Sequence, residues 1–315
     1  MESWKDSEPA DGGARVRHNR NGLKVLGALA VICGALTGVL GASQGAQAAT
    51  SKTYYVSLGD SYSVGYQPGL GSTPGYTVVV ARATRLTLVN FGCGGATTTS
   101  LVSSVGCPDV LPHTAGGVTY PTTTQEAAAV SFLKAHRGHI GLITVSIGGN
   151  DVTACASQAN PISCVASATA SIKTNVANLA AALRGAAGPG VPLIGLTYPD
   201  VILGSYVYPT HPASAAALSL AKLSVVAFKS LINPALTKAY GSANGSLVDV
   251  TKATGAYVPL TRTVRSRTYG TIPAAVASVC TLTWFCAQGN IHATTRGYTL
   301  IGKLVVAEFR TVRRT

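Results

Sequence analysis

Tyr54-Tyr55-Val56-Ser57-Leu58-Gly59-Asp60-Ser61-Tyr62-Ser63-Val64-Gly65 is the stretch around which this chain is organised. Its first half is aromatic, β-branched and uncharged, the composition of a buried strand over Thr53–Leu58. Gly59-Asp60 then breaks the strand with residues suited to a tight turn. Ser61 falls where the strand ends and the chain turns away. From there its hydroxyl can project beyond a sheet edge, beside backbone N–H groups free to meet a developing anion. Taken alone, Gly-Asp-Ser is an ordinary turn, and its meaning depends on the rest of the chain.

Four more apolar runs lie further along: Leu86–Phe91, Ile140–Ile147, Val191–Thr197 and Ser246–Val250. All five runs read as buried parallel strands. Helical patterns lie between and after them, over Gln125–His136, Ala166–Ala187, Ala213–Tyr240 (with a kink near Pro234) and Thr294–Arg313. Strands alternating with helices predict an open, doubly wound α/β sheet, whose site lies at the carboxyl ends of the strands. The polar residues after each run are therefore the candidates. They are Gly59-Asp60-Ser61, Gly92-Cys93-Gly94-Gly95-Ala96-Thr97, Gly148-Gly149-Asn150-Asp151 and Tyr198-Pro199-Asp200. After a long excursion from the fifth run, Gly289-Asn290-Ile291-His292 precedes the last helix.

Composition sets the setting. A hydrophobic share of 47% with 11% charged residues suits a folded domain with a sizeable core and argues against disorder. Residues 1–48 read as a secretory signal peptide with an N-terminal extension. Arg15, Arg17, Arg20 and Lys24 precede the apolar run Val25–Ala42, and Ala46-Gln47-Ala48 has the small-x-small pattern of a cleavage site. An uncleaved anchor is the other reading of that run. No paired arginines precede it, so general secretion is expected. Residues 49–315 are then the folded domain, expected to be secreted to the extracellular space. Cleavage leaves Cys93, Cys107, Cys155, Cys164, Cys280 and Cys286, an even number as an oxidising compartment favours. Pairing neighbours, Cys93 with Cys107, Cys155 with Cys164 and Cys280 with Cys286, closes three short loops. Zinc is disfavoured, because there is no Cys-x-x-Cys and no histidine at ligand spacing beside a pair. The remaining chain carries 19 Lys and Arg against 7 Asp and Glu, a net charge of +12. That charge favours contact with an anionic membrane or wall surface. Nucleic acid is not expected as a partner, since the basic residues are scattered and no recognition motif is present.

A serine nucleophile needs a base. His113, His136, His139 and His211 lie in loops or at a helix end, whereas His292 follows a cysteine-tied loop and precedes a helix. An acyl-transfer site also needs donors for an oxyanion. The Ser61 and Gly95 backbone N–H groups and the Asn150 side-chain amide can supply them.

In order along the chain, Gly59-Asp60-Ser61, Asn90–Thr97, Gly148-Gly149-Asn150-Asp151 and His292 resemble the four blocks of the SGNH, or GDSL, hydrolases. The three cysteine pairs are similar to those of the secreted actinobacterial esterases and lipases of that family. The resemblance implies a three-layer, flavodoxin-like fold with a five-stranded parallel sheet of order 2-1-3-4-5, flanked by helices. It also implies Ser61 as nucleophile and His292 as base, with Ser61, Gly95 and Asn150 forming the oxyanion hole. No metal or cofactor is implied. The implied activity is hydrolysis of a small-molecule or lipid carboxylic ester through an acyl-enzyme. A non-catalytic exported binding protein, an acyltransferase and an acetylated-glycan esterase are the alternatives.

The chain departs from the family in one place. The usual Asp two or three residues before the histidine is replaced by Asn290 and Gly289. Some members of the branch are similar in using a main-chain carbonyl there, which makes the Asn290 carbonyl the expected partner of the imidazole. The Asn290 side-chain oxygen, Asp200 and Asp249 are the other possibilities. Asp60 and Asp151 are expected to brace their own turns. With a carbonyl for partner, His292 is expected to titrate near its ordinary value of about 6.5.

Overall fold

The computed structural model describes residues 53–111 and 113–314. The leader read over residues 1–48 lies outside the described residues. Five strands form the central sheet: β1 Tyr54–Gly59, β2 Thr87–Asn90, β3 Ile140–Ser146, β4 Leu193–Leu196 and β5 Ser246–Val248. All pairings are parallel and the spatial order is 2-1-3-4-5. Tyr55, Val56, Leu58, Leu142, Ile143 and Val145 are fully buried, as a sheet covered on both faces requires.

The main helices are α1 Tyr76–Thr84, α2 Gln125–Ala135, α3 Pro161–Ala187, α4 Ala215–Ala227, α5 Asn233–Gly241 and α6 Thr295–Val312. Helices α1 and α6 pack together as one layer; α2 and α5 pack on α3 in the other. The kink expected near Pro234 is a π-helical turn, Phe228–Ile232, between α4 and α5. Pro234 has no N–H to offer the Ser230 carbonyl, so the regular i→i−4 ladder cannot run through this point.

Strand register lines up the site. Ser57 pairs with Asn90, Gly59 with Ser146 and Leu196 with Val248, so the carboxyl ends of the strands form one edge. Beyond that edge a second, smaller core of Leu203, Ala221, Ala256, Ala275 and Val279 supports the segment leading to His292. That segment holds a hairpin, Thr263–Ser266 with Gly270–Pro273, and two helices, Ala274–Leu282 and Phe285–Gln288. Neither the hairpin nor the small ribbon of Tyr66–Gln67 with Gly71–Ser72 is legible in the sequence, being too short to show a period. Three disulfides join Cys93 to Cys107, Cys155 to Cys164 and Cys280 to Cys286.

Candidate active site

The turn after β1 is built so that only glycine fits at its start. Gly59 has φ +137°, and a Cβ there would lie 2.1 Å from the Ser146 carbonyl oxygen. Its N–H donates to Gln125 Oε1 (2.7 Å), while Gln125 Nε2 donates back to the Gly59 carbonyl (3.1 Å). Asp60 is wholly buried behind the turn. One carboxylate oxygen accepts from the Tyr62 N–H (2.9 Å) and the other from the Tyr198 hydroxyl (2.5 Å). Burial outweighs these bonds and pushes its carboxyl up to about 7. Ser61 emerges from this buttress only 7% exposed.

The histidine arrives from the far end of the chain. The Cys280–Cys286 bridge ties the two helices that precede it. The Trp284 N–H donates to the His292 carbonyl (2.9 Å) and the Thr294 N–H to the Leu282 carbonyl (2.9 Å). The Tyr62 hydroxyl donates to the Ile291 carbonyl (2.7 Å), linking the two turns directly. His292 Nε2 then lies 2.8 Å from Ser61 Oγ.

Asn290 corrects one expectation. The imidazole Nδ1 meets the Asn290 side-chain oxygen, Oδ1, at 2.7 Å, rather than the Asn290 backbone carbonyl. The reason is local. Oδ1 also accepts the His292 backbone N–H at 3.1 Å, closing an Asx turn that carries the side chain under the ring. This second bond orients the amide, because a backbone N–H can face only its oxygen. Nδ1 must then be the protonated nitrogen, and Nε2 is left with its lone pair toward Ser61.

The ring's acidity departs from expectation too. Burial, with no carboxylate bonded to it, pushes His292 down to about 4 instead of leaving it near 6.5. The edge of Tyr66 packs against it at 4.4 Å between centroids. Neither remote carboxylate bonds the ring. Asp200 is buried and accepts from the Ser224 hydroxyl (2.9 Å); Asp249 caps a short helix through the Lys252 N–H (2.8 Å).

The oxyanion candidates cluster around the same edge. The Ser61 and Gly95 N–H groups have no acceptor among the described residues. Gly95 has φ +70° and open space where a side chain would stand. One Asn150 amide hydrogen is spent on the Ala96 carbonyl (2.8 Å), which leaves the other for a ligand. Contrary to the expectation from sequence, Asp151 does not brace its own turn. It reaches across to the N-terminus of the helix Thr98–Ser103, accepting from the Thr98 N–H (2.9 Å) and hydroxyl (2.6 Å). An unpaired helix N-terminus attracts a carboxylate, and the contact clamps the Asn150 turn to the Gly95 turn.

Ser61 and Asn150 open onto a narrow cleft with a cavity volume of about 80 Å³. Its walls are chiefly apolar, with Val152, Ile162, Val165, Ile202, Leu220 and Phe228 among them. The Cys155–Cys164 bridge ties the turn bearing Cys155 to the first turn of α3, fixing one wall. No sequence signal marks this cleft, because its walls come from several separate segments. Among the described residues no group of three His, Cys, Asp or Glu side chains is placed to hold a metal.

The five-stranded parallel sheet in its helical layers, with the site at the strands' carboxyl ends, is the SGNH hydrolase fold. The model of the GDSL-like lipase/acylhydrolase family matches residues 57–300, and the chain belongs to that family of carboxylic ester hydrolases. Among solved structures, it is similar to an extracellular lipase from Streptomyces rimosus, at 20% identity and TM-score 0.49, covering 81% of this chain and 98% of that one. It is also similar to the salicylyl-acyltransferase SsfX3 of a tetracycline biosynthetic pathway, at 13% identity and TM-score 0.39, covering 84% of this chain and 56% of that one. No curated protein sequence matches.

Proposed function

We propose that the protein is a secreted serine esterase acting on fatty-acyl esters, with residues 1–48 as its leader and residues 49–315 as its catalytic domain. The observation that carries this reading is the line Ser61 Oγ, His292, Asn290 Oδ1, joined by contacts of 2.8 and 2.7 Å at the mouth of an apolar cleft. The apolar leader sequence and three disulfides support export.

Ser61 Oγ attacks the acyl carbonyl carbon as its proton passes to His292 Nε2. The carbonyl oxygen becomes an oxyanion, held by the Ser61 and Gly95 N–H groups and the free Asn150 amide hydrogen. The intermediate collapses, and the alcohol leaves with the proton from His292. Water then attacks the acyl-enzyme, giving its proton to His292, and the carboxylic acid departs as Ser61 recovers its hydrogen. Asn290 holds the imidazole in the Nδ1–H form throughout. It lends the imidazolium a dipole rather than a full negative charge.

The lining of the cleft supports the fatty-acyl reading. An acetylated sugar needs no extended apolar wall and would call for polar partners; a fatty-acyl chain matches aliphatic walls. Hydrolysis of p-nitrophenyl esters from acetate to palmitate, with Ser61→Ala and His292→Ala as controls, tests this reading. Both variants are expected to fold normally and lose activity by at least about three orders of magnitude. Parent-like turnover in either one would remove the serine mechanism, and a preference for acetate over longer chains would remove the fatty-acyl assignment.

A further inference from the structure

The cleft opens beside a helix that does not look like the surface of a soluble protein. An outward helix face is ordinarily charged. That of α4 and the π turn after it presents Ala215, Ala216, Ser219, Lys222, Leu223, Val226, Lys229 and Ser230. Val226 is 55% exposed and Leu223 37%. Ala221, Ala227, Phe228 and Ile232 of the same stretch are buried, whereas Leu223 and Val226 are not, so core packing does not account for those two. Across the cleft Ile162, on the first turn of α3, is 37% exposed. Ile162, Leu220 and Leu223 all line the cleft, which places the exposed apolar residues on its rim.

Charge narrows the occupant. There is no Asp or Glu between Asp200 and Asp249, while Lys222 and Lys229 lie exposed on the same helical stretch. An apolar rim flanked by lysines and free of carboxylates matches the interface of a bilayer carrying anionic phospholipids. Acyl carbons lie below that interface and phosphates beside it. A protein partner with an apolar patch would satisfy Leu223 and Val226 but gives no reason for the missing acids.

We infer that α4 and the first turn of α3 form a docking surface that seats the cleft mouth on anionic lipid, with Val226 entering the acyl boundary and Lys222 and Lys229 at the phosphates. This deepens the fatty-acyl reading of the same cleft and rests on it: the ester passes from the lipid layer into the cleft without crossing water. Lys222, Lys229 and Val226 lie outside the catalytic and acyl-binding groups, so the surface can be altered separately.

The test uses Ser61→Ala protein, which cannot digest the membrane, in sedimentation with vesicles of phosphatidylcholine alone and with one-quarter phosphatidylglycerol. Partitioning onto the anionic vesicles is expected, weakening as salt rises. Val226→Glu is expected to lower it at least tenfold. Lys222→Glu with Lys229→Glu is expected to lower it by about fivefold per lysine or more on anionic vesicles, with little change on neutral ones. On the Ser61 background, all these variants should hydrolyse soluble p-nitrophenyl butyrate within twofold of the parent, which also shows that they fold. Unchanged vesicle binding by Val226→Glu would overturn the inference. So would a parent that ignores vesicles, or one that forms a dimer which Val226→Glu dissociates. Vesicle binding is read without the nucleophile, so its failure and a failure of the esterase reading are separate results.

Discussion

Replacing Asn290 probes the part of the site in which this chain departs from its family. Asn290→Ala removes the acceptor of two donors, the His292 backbone N–H at 3.1 Å and the ring Nδ1–H at 2.7 Å. Leaving a buried donor without a partner costs about 1–3 kcal/mol, and His292 is only partly open to water. If about 2–3 kcal/mol of this is lost from the transition state, kcat falls by roughly 30- to 150-fold. Had the backbone carbonyl held the ring, the same substitution would spare the contact and most of the activity. Asn290→Asp gives the opposite perturbation. A carboxylate beside the ring favours imidazolium and raises the His292 pKa by about 1–3 units. The neutral imidazole is the working form. The acid limb of kcat/KM, expected near the parent's value of about 4, should therefore move upward in pH in the Asp variant. The assay is a pH series from about 3 to about 9 on a soluble ester, with circular dichroism at each pH to exclude unfolding. Full turnover in Asn290→Ala would refute the side-chain contact as a catalytic support. An unmoved acid limb in Asn290→Asp would refute the account of the ring's low pKa.

Three further outcomes are expected from the geometry. Asn150→Ala should lower kcat by about two to three orders of magnitude with little change in KM, the effect of one lost oxyanion donor; a change confined to KM would make Asn150 a binding residue. Val152→Trp, which fills the cleft beside Asn150, should lower kcat/KM for palmitate at least tenfold relative to butyrate, and equal losses on both esters would show that the chain lies elsewhere. Asp200 is pushed up to about 7 by burial, with one carboxylate oxygen unpartnered. Its protonated form is thus favoured in the folded state, and its contribution to stability is lost as pH rises from about 4 through 7. Asp200→Asn should flatten that decline, read as the urea midpoint at pH 5 and pH 8, and an unchanged difference between the two would show that the group does not titrate in that window.

The strands of the sheet are accessible from sequence because buried parallel strands need near-continuous apolar runs; their order follows only from the resemblance to the SGNH hydrolases. A run such as Ile140–Ile147 cannot be hidden in composition. The same runs locate the strand ends, and so the polar residues beside them, Ser61, Gly95, Asn150 and, by elimination among the five histidines that follow the leader, His292. Short-range spacing likewise suffices for the three disulfides. Whatever depends on convergence in space stays hidden. Sequence places Asn290 two residues before His292 but cannot say which of its oxygens meets the ring; the Asx turn decides that. Asp151 reads in sequence as bracing its own turn because its partner, Thr98, is 53 residues away and belongs to another strand's exit. The His292 pKa depends on how deeply the ring is buried between Tyr62 and Tyr66, which no local pattern encodes. The cleft and the apolar face of α4 are likewise products of packing. In sequence α4 is part of one long helical pattern, and only the tertiary structure shows which of its sides packs on the Val201–Tyr206 turn and which is left uncovered.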